Sequence, residues 1–443
     1  MHYLSIDFGT STVKVEVLDA DARALASASH TYPLIRRPGQ MVEVEPDVLF
    51  DAIYSACADL PDELRERVGA VCYDTFSPSP VFLGPDGELA YPGIVTHLDR
   101  RSRTESQRIQ DTVGAERYMQ IAGVQPFTGG VGVLTVLWMQ TNEPDVLAKT
   151  AQIGHLASYV GHRFTGAWAV DRVNASMLGL YETTTGGGWS AELLDAFGLD
   201  ARWFGRIVQP GSVLGSLRDE EAERLGVRAG IPVGVGTNDM AAAQVGAGNE
   251  SAGKIMDTAG SSDMVSILTD QPVTNPHYYL RCAATPGLWQ IYATTAGGFA
   301  LDWFHGQFCR DLSRESFDNE LLPQALALSP DDAGVTFDPY LSGDRQSLEP
   351  RTASWHGLTL ATTRDEMLAA LMTAMNRTLT DTVDRAANVL DLDPLIKLSG
   401  GMSTPEIIAL KKRIFAGFDF EVVHNCSIIG NVRLMQRYAE DVG

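Results

Sequence analysis

The alternation of apolar and polar positions at the start of the chain predicts two strands joined by a tight turn. Leu4 and Ile6 lead into Asp7, and residues 13–17 alternate valines with charged residues. An apolar residue at every second position is typical of a half-buried strand. Residues 4–19 therefore predict a β-hairpin, around which the rest of the chain is organised.

The turn of this hairpin consists of small residues that suit a phosphate. Gly9 lets the backbone approach a ligand closely, and Thr10, Ser11 and Thr12 offer hydroxyl and N–H groups that form an anion-binding concavity. Asp7 is compatible with a phosphate only through a divalent cation, because Mg2+ sites usually combine one or two carboxylates with substrate phosphates. The turn predicts a metal–nucleotide site, and an ordinary polar hairpin is the alternative.

The second half of the chain repeats this pattern. Residues 254–268 run from an apolar strand through Asp257 and a small-residue turn at Gly260 and Ser261 into an alternating strand. Two such hairpins predict a duplicated α/β architecture with the phosphates clamped between the copies. Chance similarity between two hairpins is the alternative, and the matching order of features disfavours it.

Asp239 is the candidate catalytic residue. A short strand is predicted over residues 232–236 and a helix from Met240 onward, so Asp239 lies at the positive end of that helix, which keeps a carboxylate ionised. Such a group could serve as a general base. A simple charge at a helix start is the commoner use of aspartate in this position.

Two further loops follow predicted strands. The strand over residues 68–73 ends in the proline-rich segment 74–80, and ligands bind at the carboxyl ends of strands in open α/β sheets. The strand over residues 395–398 ends in Gly400 and Gly401, where the backbone could lie against a flat ring or a phosphate. Paired glycines are also common in ordinary strand-to-helix turns.

Length, charge and cysteine spacing limit the remaining possibilities. At 443 residues the chain predicts two or more domains, and its net charge of −22 argues against a nucleic-acid or anionic-membrane partner. The five cysteines lack metal-site or disulfide-framework spacing, so we expect reduced core thiols. No leader precedes the first strand and no apolar run reaches about 18 residues, which predicts a cytoplasmic protein.

In this order, the motifs resemble those of the FGGY carbohydrate kinases, members of the ATPase superfamily that includes actin, hexokinase and the heat-shock chaperones. The first phosphate motif of the family resembles Asp7-x-Gly9-Thr10-Ser11-Thr12-x-Lys14, the second resembles Gly260-Ser261-Ser262, and the adenosine motif resembles Leu398-Ser399-Gly400-Gly401. Further family segments resemble residues 171–176, residues 339–345 and Gly297-Gly298 with Trp303-Phe304. The resemblance covers nearly the whole chain.

The resemblance implies a fold of two duplicated ribonuclease H-like (actin-like ATPase) domains with a central cleft. Residues 1–246 would form the N-terminal domain, with the sugar site, the first phosphate loop and the catalytic aspartate. Residues 247–443 would form the C-terminal domain, with the second phosphate loop and the adenosine site. Dimers are common in such families, and no stretch of this sequence identifies an interface.

The activity that the resemblance implies is ATP-dependent phosphorylation of a hydroxyl of a small sugar, ketose or polyol, with Mg2+. Asp239 would be the general base, and Asp7 and Asp239 would lie at the metal. The phosphate-binding residues would be Gly9, Thr10, Ser11, Thr12, Lys14, Gly260 and Ser261. The adenosine-binding residues would be Gly297, Gly400, Gly401 and Met402, and the sugar-binding residues Asp74, Phe76, Ser77, Asp99, Asn238 and Asp239.

Departures from the family pattern concern mainly the sugar site. Residues 76–79, Phe-Ser-Pro-Ser, replace the usual Gln-Met-His-Gly, and His97 stands where a tryptophan is usual. Residues 426–432 replace the usual Ala/Gly-rich last helix. These differences argue against a xylulokinase, glycerol kinase or gluconokinase. A catalytically silent regulatory relative is the alternative function, and a chaperone-like ATPase is disfavoured because no peptide-binding domain follows the adenosine motif.

Overall fold

The computed structural model describes residues 1–328, 334–341, 343–344, 348 and 351–439. The strands of the first half are β1 (His2–Phe8), β2 (Thr12–Leu18), β3 (Ala24–Thr31), β4 (Ile35–Arg37), β5 (Met41–Val44), β6 (Val68–Thr75), β7 (Pro80–Leu83), β8 (Ile94–Val95), β9 (Gln152–His155), β10 (Val170–Asp171), β11 (Ile207–Val208), β12 (Val213–Ser216), β13 (Pro232–Gly234) and β14 (Thr237–Asn238). Its helices are α1 (Pro46–Ala58), α2 (Asp62–Arg65), α3 (Glu105–Thr112), α4 (Ala115–Ala122), α5 (Val133–Asn142), α6 (Pro144–Lys149), α7 (Leu156–Thr165), α8 (Arg172–Leu178), α9 (Ala191–Phe197), α10 (Asp219–Leu225) and α11 (Asp239–Gly246).

The second half has fewer and longer helices. Its strands are β15 (Ile255–Ala259), β16 (Asp263–Thr269), β17 (Tyr279–Cys282), β18 (Trp289–Thr295), β19 (Thr336–Asp338), β20 (Ser354–His356), β21 (Leu395–Ser399) and β22 (Asp419–Val422). Its helices are α12 (Gly297–Phe308), α13 (Arg314–Ser316), α14 (Leu322–Ala327), α15 (Arg364–Ala387), α16 (Pro405–Ile414) and α17 (Cys426–Ala439). A π-helical turn, Phe317–Leu321, joins α13 to α14.

Each half is built on one mixed sheet, and the two sheets follow the same plan. In the first sheet the order is β12-β13-β6-β1-β2-β3, with β14 also paired to β6. In the second the order is β17-β18-β16-β15-β21-β22. Each sheet begins with an antiparallel hairpin, β1–β2 or β15–β16, and then adds a parallel strand beside the first member of the hairpin, β6 or β21. Both predicted hairpins and the duplicated α/β fold are therefore confirmed.

Helices cover the strands of both sheets. Side chains of β1 and β2 pack against α1 and α7 in one buried core, in which Leu4, Ile6, Val13 and Val15 have no exposed surface. In the second half, α15 supplies a buried stripe against β15, β16 and β18. The parallel strands β1 and β6 end along one edge of the first sheet, and β15 and β21 along one edge of the second, and the predicted phosphate turns follow β1 and β15 at those edges.

The end of the described chain forms the helix α17, whereas residues 426–432 were expected to stand in place of the family's usual last helix. Helix α17 packs against α11 and against β1 and β6 of the first sheet, far from it in sequence. Glycines permit the contact with α11, since a Cβ on Gly430 would lie 1.9 Å from the carbonyl oxygen of Ala242, and one on Gly246 1.8 Å from that of Cys426. The sequence signal for this helix, two small residues and a glycine among apolar positions, was too short to predict it.

Two further features bear on the chain as a whole. All five cysteines are free and buried, and burial raises the pKa of the Cys57 and Cys72 thiols to about 12. Within the part of the chain that the structure describes, none of the helices has the length and apolar character needed to cross a membrane.

Candidate active site

A cavity of about 350 Å³ lies between the two halves of the molecule. From the first half it is lined by residues 9–12, 76–78 and 238–240 together with His97, Gly129, Gly130 and Met177. From the second half it is lined by Thr258, residues 260–262, Met264, Tyr279, Gln290, Tyr292, Thr294 and Phe299. A second cavity, of about 420 Å³ beside His162 and Trp168, contains none of the predicted site residues.

The first predicted phosphate turn faces this cavity. Gly9 to Thr12 all line it, and the Tyr32 hydroxyl donates a hydrogen bond to the carbonyl of Gly9. A Cβ on Gly9 would lie 2.8 Å from the carbonyl oxygen of Thr12, so the turn has this shape only with glycine at that position. Its N–H groups are thus held beside open space, as an anion site requires.

The second turn contacts the loops predicted to bind adenosine. Gly298 and Phe299 donate backbone hydrogen bonds of 2.9 Å each to the carbonyls of Gly260 and Ser261. Met402 donates one of 2.9 Å to the carbonyl of Ala259, at the end of β15. The turn and the loop after β21 therefore meet at one edge of the second sheet.

Glycine is required at two places in this cluster. Gly297 and Gly400 have φ values of +50° and +104°, and a Cβ on Gly400 would lie 2.3 Å from the carbonyl oxygen of Ala259. Nothing lies within 4 Å of a Cβ on Gly401. The predicted adenosine residues thus lie together beside the second phosphate turn, although the lining of the main cavity does not include them.

Asp239 lies at the centre of the site, as the first residue of α11. Its Oδ1 accepts hydrogen bonds from the backbone N–H of Met240, at 2.7 Å, and from Nδ2 of Asn238, at 2.8 Å. Burial, reinforced by the charge of Asp7, raises the pKa of the Asp239 carboxyl from 3.8 to about 7. Roughly half of such groups are ionised at neutral pH, which suits a group that must accept a proton.

Two more carboxyls lie beside Asp239. Asp7 is the penultimate residue of β1, and Asp74 is its direct neighbour on the parallel strand β6. Burial raises the pKa of both, and for Asp74 the charges of Asp7 and Asp239 add to the effect and raise it well above the ordinary value. The three acidic side chains therefore form one electrostatically coupled group at the carboxyl edge of the first sheet.

These residues suit a magnesium ion that arrives with a nucleotide. Among the residues that the structure describes, no three His, Cys, Asp or Glu side chains are arranged to hold a metal by themselves. Asp7 and Asp239 beside two phosphate turns are instead the donor set that Mg2+ takes in combination with phosphate oxygens. The site therefore fits a metal–nucleotide complex better than a resident metal.

The acidic residue of the second hairpin has a different environment. Asp257 is fully buried, and Nζ of Lys411 lies 2.7 Å from its Oδ2 and 3.0 Å from Oδ2 of Asp263. The buried lysine neutralises the copy of the motif in the second sheet. Asp257 therefore belongs to an internal ion pair, an environment that the similarity of the two hairpin sequences did not reveal.

A hydrogen-bonded network supports the wall near Asp239. The Ser77 hydroxyl donates to Oδ1 of Asn174 at 2.6 Å, and Nδ2 of Asn174 donates to Oδ2 of Asp171 at 2.6 Å. Oδ1 of Asp171 accepts from the Thr237 hydroxyl at 2.9 Å, two residues before Asp239. Asp171 and Asn174 belong to a segment that the sequence linked to the family without assigning it a role. The network connects the loop after β6 to the start of α11.

The second sheet contributes a wall that the sequence analysis missed. Tyr279 and Tyr292 stack with ring centroids 4.8 Å apart, and Gln290 and Thr294 line the cavity on either side of Tyr292. On strand β18 these three positions are every second residue and so share one face. A polar or aromatic residue at alternate positions of an otherwise buried strand was the signal available in the sequence.

Asp7, predicted at the metal, is absent from the lining of the cavity, and three further predicted ligand residues are absent as well. Nζ of Lys14 contacts Asn425 Oδ1 at 2.6 Å and Glu16 Oε1 at 2.7 Å, and Lys14 is not part of the lining. Asp74 has no exposed surface, so it lies behind Asp7 rather than against a substrate. These two positions were predicted from their neighbours in sequence, which do line the cavity.

Asp99 is the third residue that does not line the cavity. Both of its oxygens are bound by Arg101, whose Nη2 lies 2.8 Å from Oδ2 and also 2.6 Å from Oε1 of Glu43. The backbone N–H of Val42 donates to Asp99 Oδ2 at 2.7 Å. The carboxylate is therefore committed to a buried ion pair, and His97, two residues earlier, lines the cavity instead. Of the family-like segment 339–345, Ser342 and Arg345 lie outside the described residues.

Two duplicated sheets with a cleft between them define the actin-like ATPase fold. Solved structures agree with this fold over nearly the whole chain. Ligand-bound xylulose kinase from Lactobacillus acidophilus superposes with a TM-score of 0.88 at 21% identity, covering 99% of this chain and 89% of that one. Plasmodium falciparum glycerol kinase with ADP superposes with a TM-score of 0.84 at 18% identity, covering 99% and 90%.

Sequence comparisons identify the family. The model of the FGGY family of carbohydrate kinases, N-terminal domain, matches residues 2–246. Xylulose kinase of Lactococcus lactis is 25% identical over 94% of this chain and 83% of its own length, and L-fuculokinase of Escherichia coli K12 is 23% identical over 83% and 77%. The chain belongs to the FGGY family of carbohydrate kinases. The protein is therefore a phosphotransferase with an alcohol group as acceptor, as the motifs predicted.

Proposed function

We propose that this protein transfers the γ-phosphate of ATP to a hydroxyl of a small sugar, ketose or polyol, with Asp239 as the general base. The observation that carries the proposal is the position of Asp239. It lines a cavity to which both phosphate turns contribute, and its pKa of about 7 lies near neutrality. Phosphoryl transfer requires mainly positioning and neutralisation of charge, so one base between two N–H-rich turns is a sufficient arrangement.

In this mechanism each group has one task. The turns at residues 9–12 and 260–262 hold the phosphates through their N–H and hydroxyl groups, and the loops at Gly297 and Gly400 border the adenosine. Both donors to Asp239 bond the same oxygen, Oδ1, and we assign the proton of the attacking hydroxyl to Oδ2. Asp7, with Asp239 beside it, would hold Mg2+, which neutralises the charge of the transferring phosphate when it is bound.

The walls of the cavity would orient the sugar and exclude water. Ser77 and Asn238 offer polar groups near Asp239, whereas Phe76, Met177 and the stacked Tyr279–Tyr292 pair offer apolar surface. Closure of the two halves over the substrate would suppress hydrolysis of ATP. Relatives named xylulose kinase, L-fuculokinase and gluconokinase make the sugars in those names the first to test.

The role of Asp239 is tested by Asp239→Asn with a matched control. Asp219 is likewise the first residue of a helix, α10, but is exposed and distant from the cavity, so Asp219→Asn removes the same charge from the same helix position. We expect Asp239→Asn to retain ATP binding and to lose about 100-fold or more in turnover, and Asp219→Asn to retain both. Equal turnover in the two variants would show that Asp239 is only a helix-start charge.

A further inference from the structure

We propose that Ser427 and Asn431, on the last helix α17, are positioning residues that orient the carboxylates of Asp7 and Asp74 for the metal–nucleotide complex. The inference rests on the proposed function, because it assigns Asp7 to the metal. It goes beyond that function by giving the final helix a part in the site. No motif of the sequence pointed to either residue.

The contacts run directly from one face of α17 to the two aspartates. The Ser427 hydroxyl donates to Oδ2 of Asp7 at 3.1 Å, and Nδ2 of Asn431 donates to Oδ2 of Asp74 at 2.6 Å. Residues four apart lie on the same face of a helix, one turn from each other. Asp7 and Asp74 are likewise direct neighbours across β1 and β6. Two donors on one helix face therefore match two acceptors on adjacent strands.

The helix that carries these donors is itself fixed to the first sheet. The Ser5 hydroxyl donates to the backbone carbonyl of Ile428 at 2.9 Å, and Nδ2 of Asn431 lies 3.3 Å from the same hydroxyl. Nζ of Lys14 bonds Oδ1 of Asn425, just before the helix, at 2.6 Å. These anchors lie on both sides of the Ser427 contact, so the position of its hydroxyl relative to β1 is closely determined.

The two oxygens of Asp7 face different partners. Oδ2 accepts from Ser427, whereas Oδ1 lies 4.0 Å from the position of a Cβ on Gly9, on the side of the phosphate turn. A hydrogen bond to Oδ2 thus fixes the rotation of the carboxylate and keeps Oδ1 on the side of the phosphate turn. Groups that hold a metal ligand in this way commonly contribute 10- to 100-fold to metal affinity or activity.

Asp74 needs a donor for a different reason. It has no exposed surface, and its Oδ1 has no hydrogen-bond partner among the described residues. The orientation of this buried carboxyl group beside Asp7 therefore depends on the donors that reach its Oδ2. Asn431 supplies the short hydrogen bond that holds Asp74 in place beside Asp7.

The arrangement also connects the two halves of the protein. Helix α17 follows β22, which pairs with β21, and β21 ends in the loop predicted to border the adenosine. The chain that frames the nucleotide base in the second half therefore continues into the helix that holds Asp7 in the first half. The stretch from β21 to α17 would therefore contact the nucleotide at one end and the residues that hold the metal at the other.

The test measures metal binding rather than turnover, with Mn2+ as the probe. Free Mn2+ is titrated by electron paramagnetic resonance against the full-length protein with ADP present. The proteins compared are wild type, Ser427→Ala, Ser427→Thr, Asn431→Ala and the control Gln436→Ala. Gln436 lies on the same helix, where its Nε2 donates to the carbonyl of Ala20, far from the two aspartates. Thermal unfolding of each variant is recorded in parallel.

We expect Ser427→Ala to weaken Mn2+ binding about tenfold, Asn431→Ala to weaken it in the same direction, and Ser427→Thr to restore it. Binding of ADP without metal and the melting temperature of Ser427→Ala should stay at wild-type values. Unchanged Mn2+ affinity in Ser427→Ala, or an equal loss in Gln436→Ala, would overturn the inference. A wild type that binds no Mn2+ with ADP would instead overturn the proposed function on which it rests.

Discussion

The crossing of α11 and α17 offers a test of the packing that holds the site together. Asp239 begins α11, and Gly430 of α17 lies against the last two turns of that helix. A Cβ on Gly430 would lie 1.9 Å from the carbonyl oxygen of Ala242, 2.6 Å from its carbonyl carbon and 3.1 Å from the N of Gly246. All three atoms are backbone, so no side chain can rotate to make room. Gly430→Ala must therefore separate the helices.

The size of the effect follows from these distances. A Cβ essentially never approaches another heavy atom within 3.0 Å, so α17 would have to move by at least about 1 Å. Overpacking of this kind costs about 1–3 kcal/mol, and an unyielding backbone contact lies at the upper end. Alanine regains about 1 kcal/mol of helix propensity over glycine. We therefore expect Gly430→Ala to lower the free energy of unfolding by about 2 kcal/mol.

Urea unfolding followed by tryptophan fluorescence measures this change, with Gly306→Ala as the matched control. Gly306 is also a helical glycine, in α12, but nothing lies within 4 Å of a Cβ there. The control should be neutral or gain about 0.5–1 kcal/mol. If the two variants unfold at the same urea concentration, the close helix crossing is not a feature of the protein in solution, and the placement of Ser427 loses its support.

Two other predictions concern charge. Because burial and the charge of Asp7 raise the pKa of Asp239 to about 7, its ionised form disappears below neutrality, so kcat/KM should fall about tenfold for each pH unit below pH 6 and level off above pH 8. A profile that stays flat from pH 5.5 to 8 would contradict this assignment. Lys411→Met should lower the free energy of unfolding by about 3–5 kcal/mol, because it leaves two buried carboxylates unpaired. In the same urea experiment Lys412→Met, which removes an exposed ion pair, should change the free energy of unfolding by less than about 1 kcal/mol. Similar losses in the two variants would contradict the buried ion pairs of Lys411 with Asp257 and Asp263.

Local sequence patterns were sufficient to predict the two hairpins and their turns. Alternating valines at residues 13–17 and the small residues 9–12 are signals contained within a few positions, and the same holds for residues 254–268. Asp239 could be located in the same way, because a strand, a polar pair and a helix follow one another within twelve residues. These features depend on neighbours in sequence, and the structure places them at one cavity.

Features that depend on distant partners could not be predicted. Asp7 and Asp257 occur in similar motifs, yet Asp257 forms a buried ion pair with Lys411, which lies 154 residues further along the chain. Strand β7 likewise pairs with a distant partner, β9, with Pro80 opposite His155.

The short segment after Phe420 shows the same limit. Its helix is stabilised by contact with α11, and that contact depends on glycines in two different halves of the chain. Asp99 was expected to contact the sugar because of the family resemblance, yet it pairs in the interior with Arg101, which also pairs with Glu43. In each case the deciding interaction is tertiary and leaves no periodic signal.

The most direct measurement is sugar-dependent formation of ADP from ATP and Mg2+ by the purified protein across a panel of ketoses, aldoses, polyols and sugar acids. Mass spectrometry of the reaction products identifies the phosphorylated compound. The account predicts turnover on at least one compound, a product heavier by one phosphoryl group, and loss of both in Asp239→Asn. ATP binding without transfer to any member of the panel would contradict it and favour the catalytically silent, regulatory alternative.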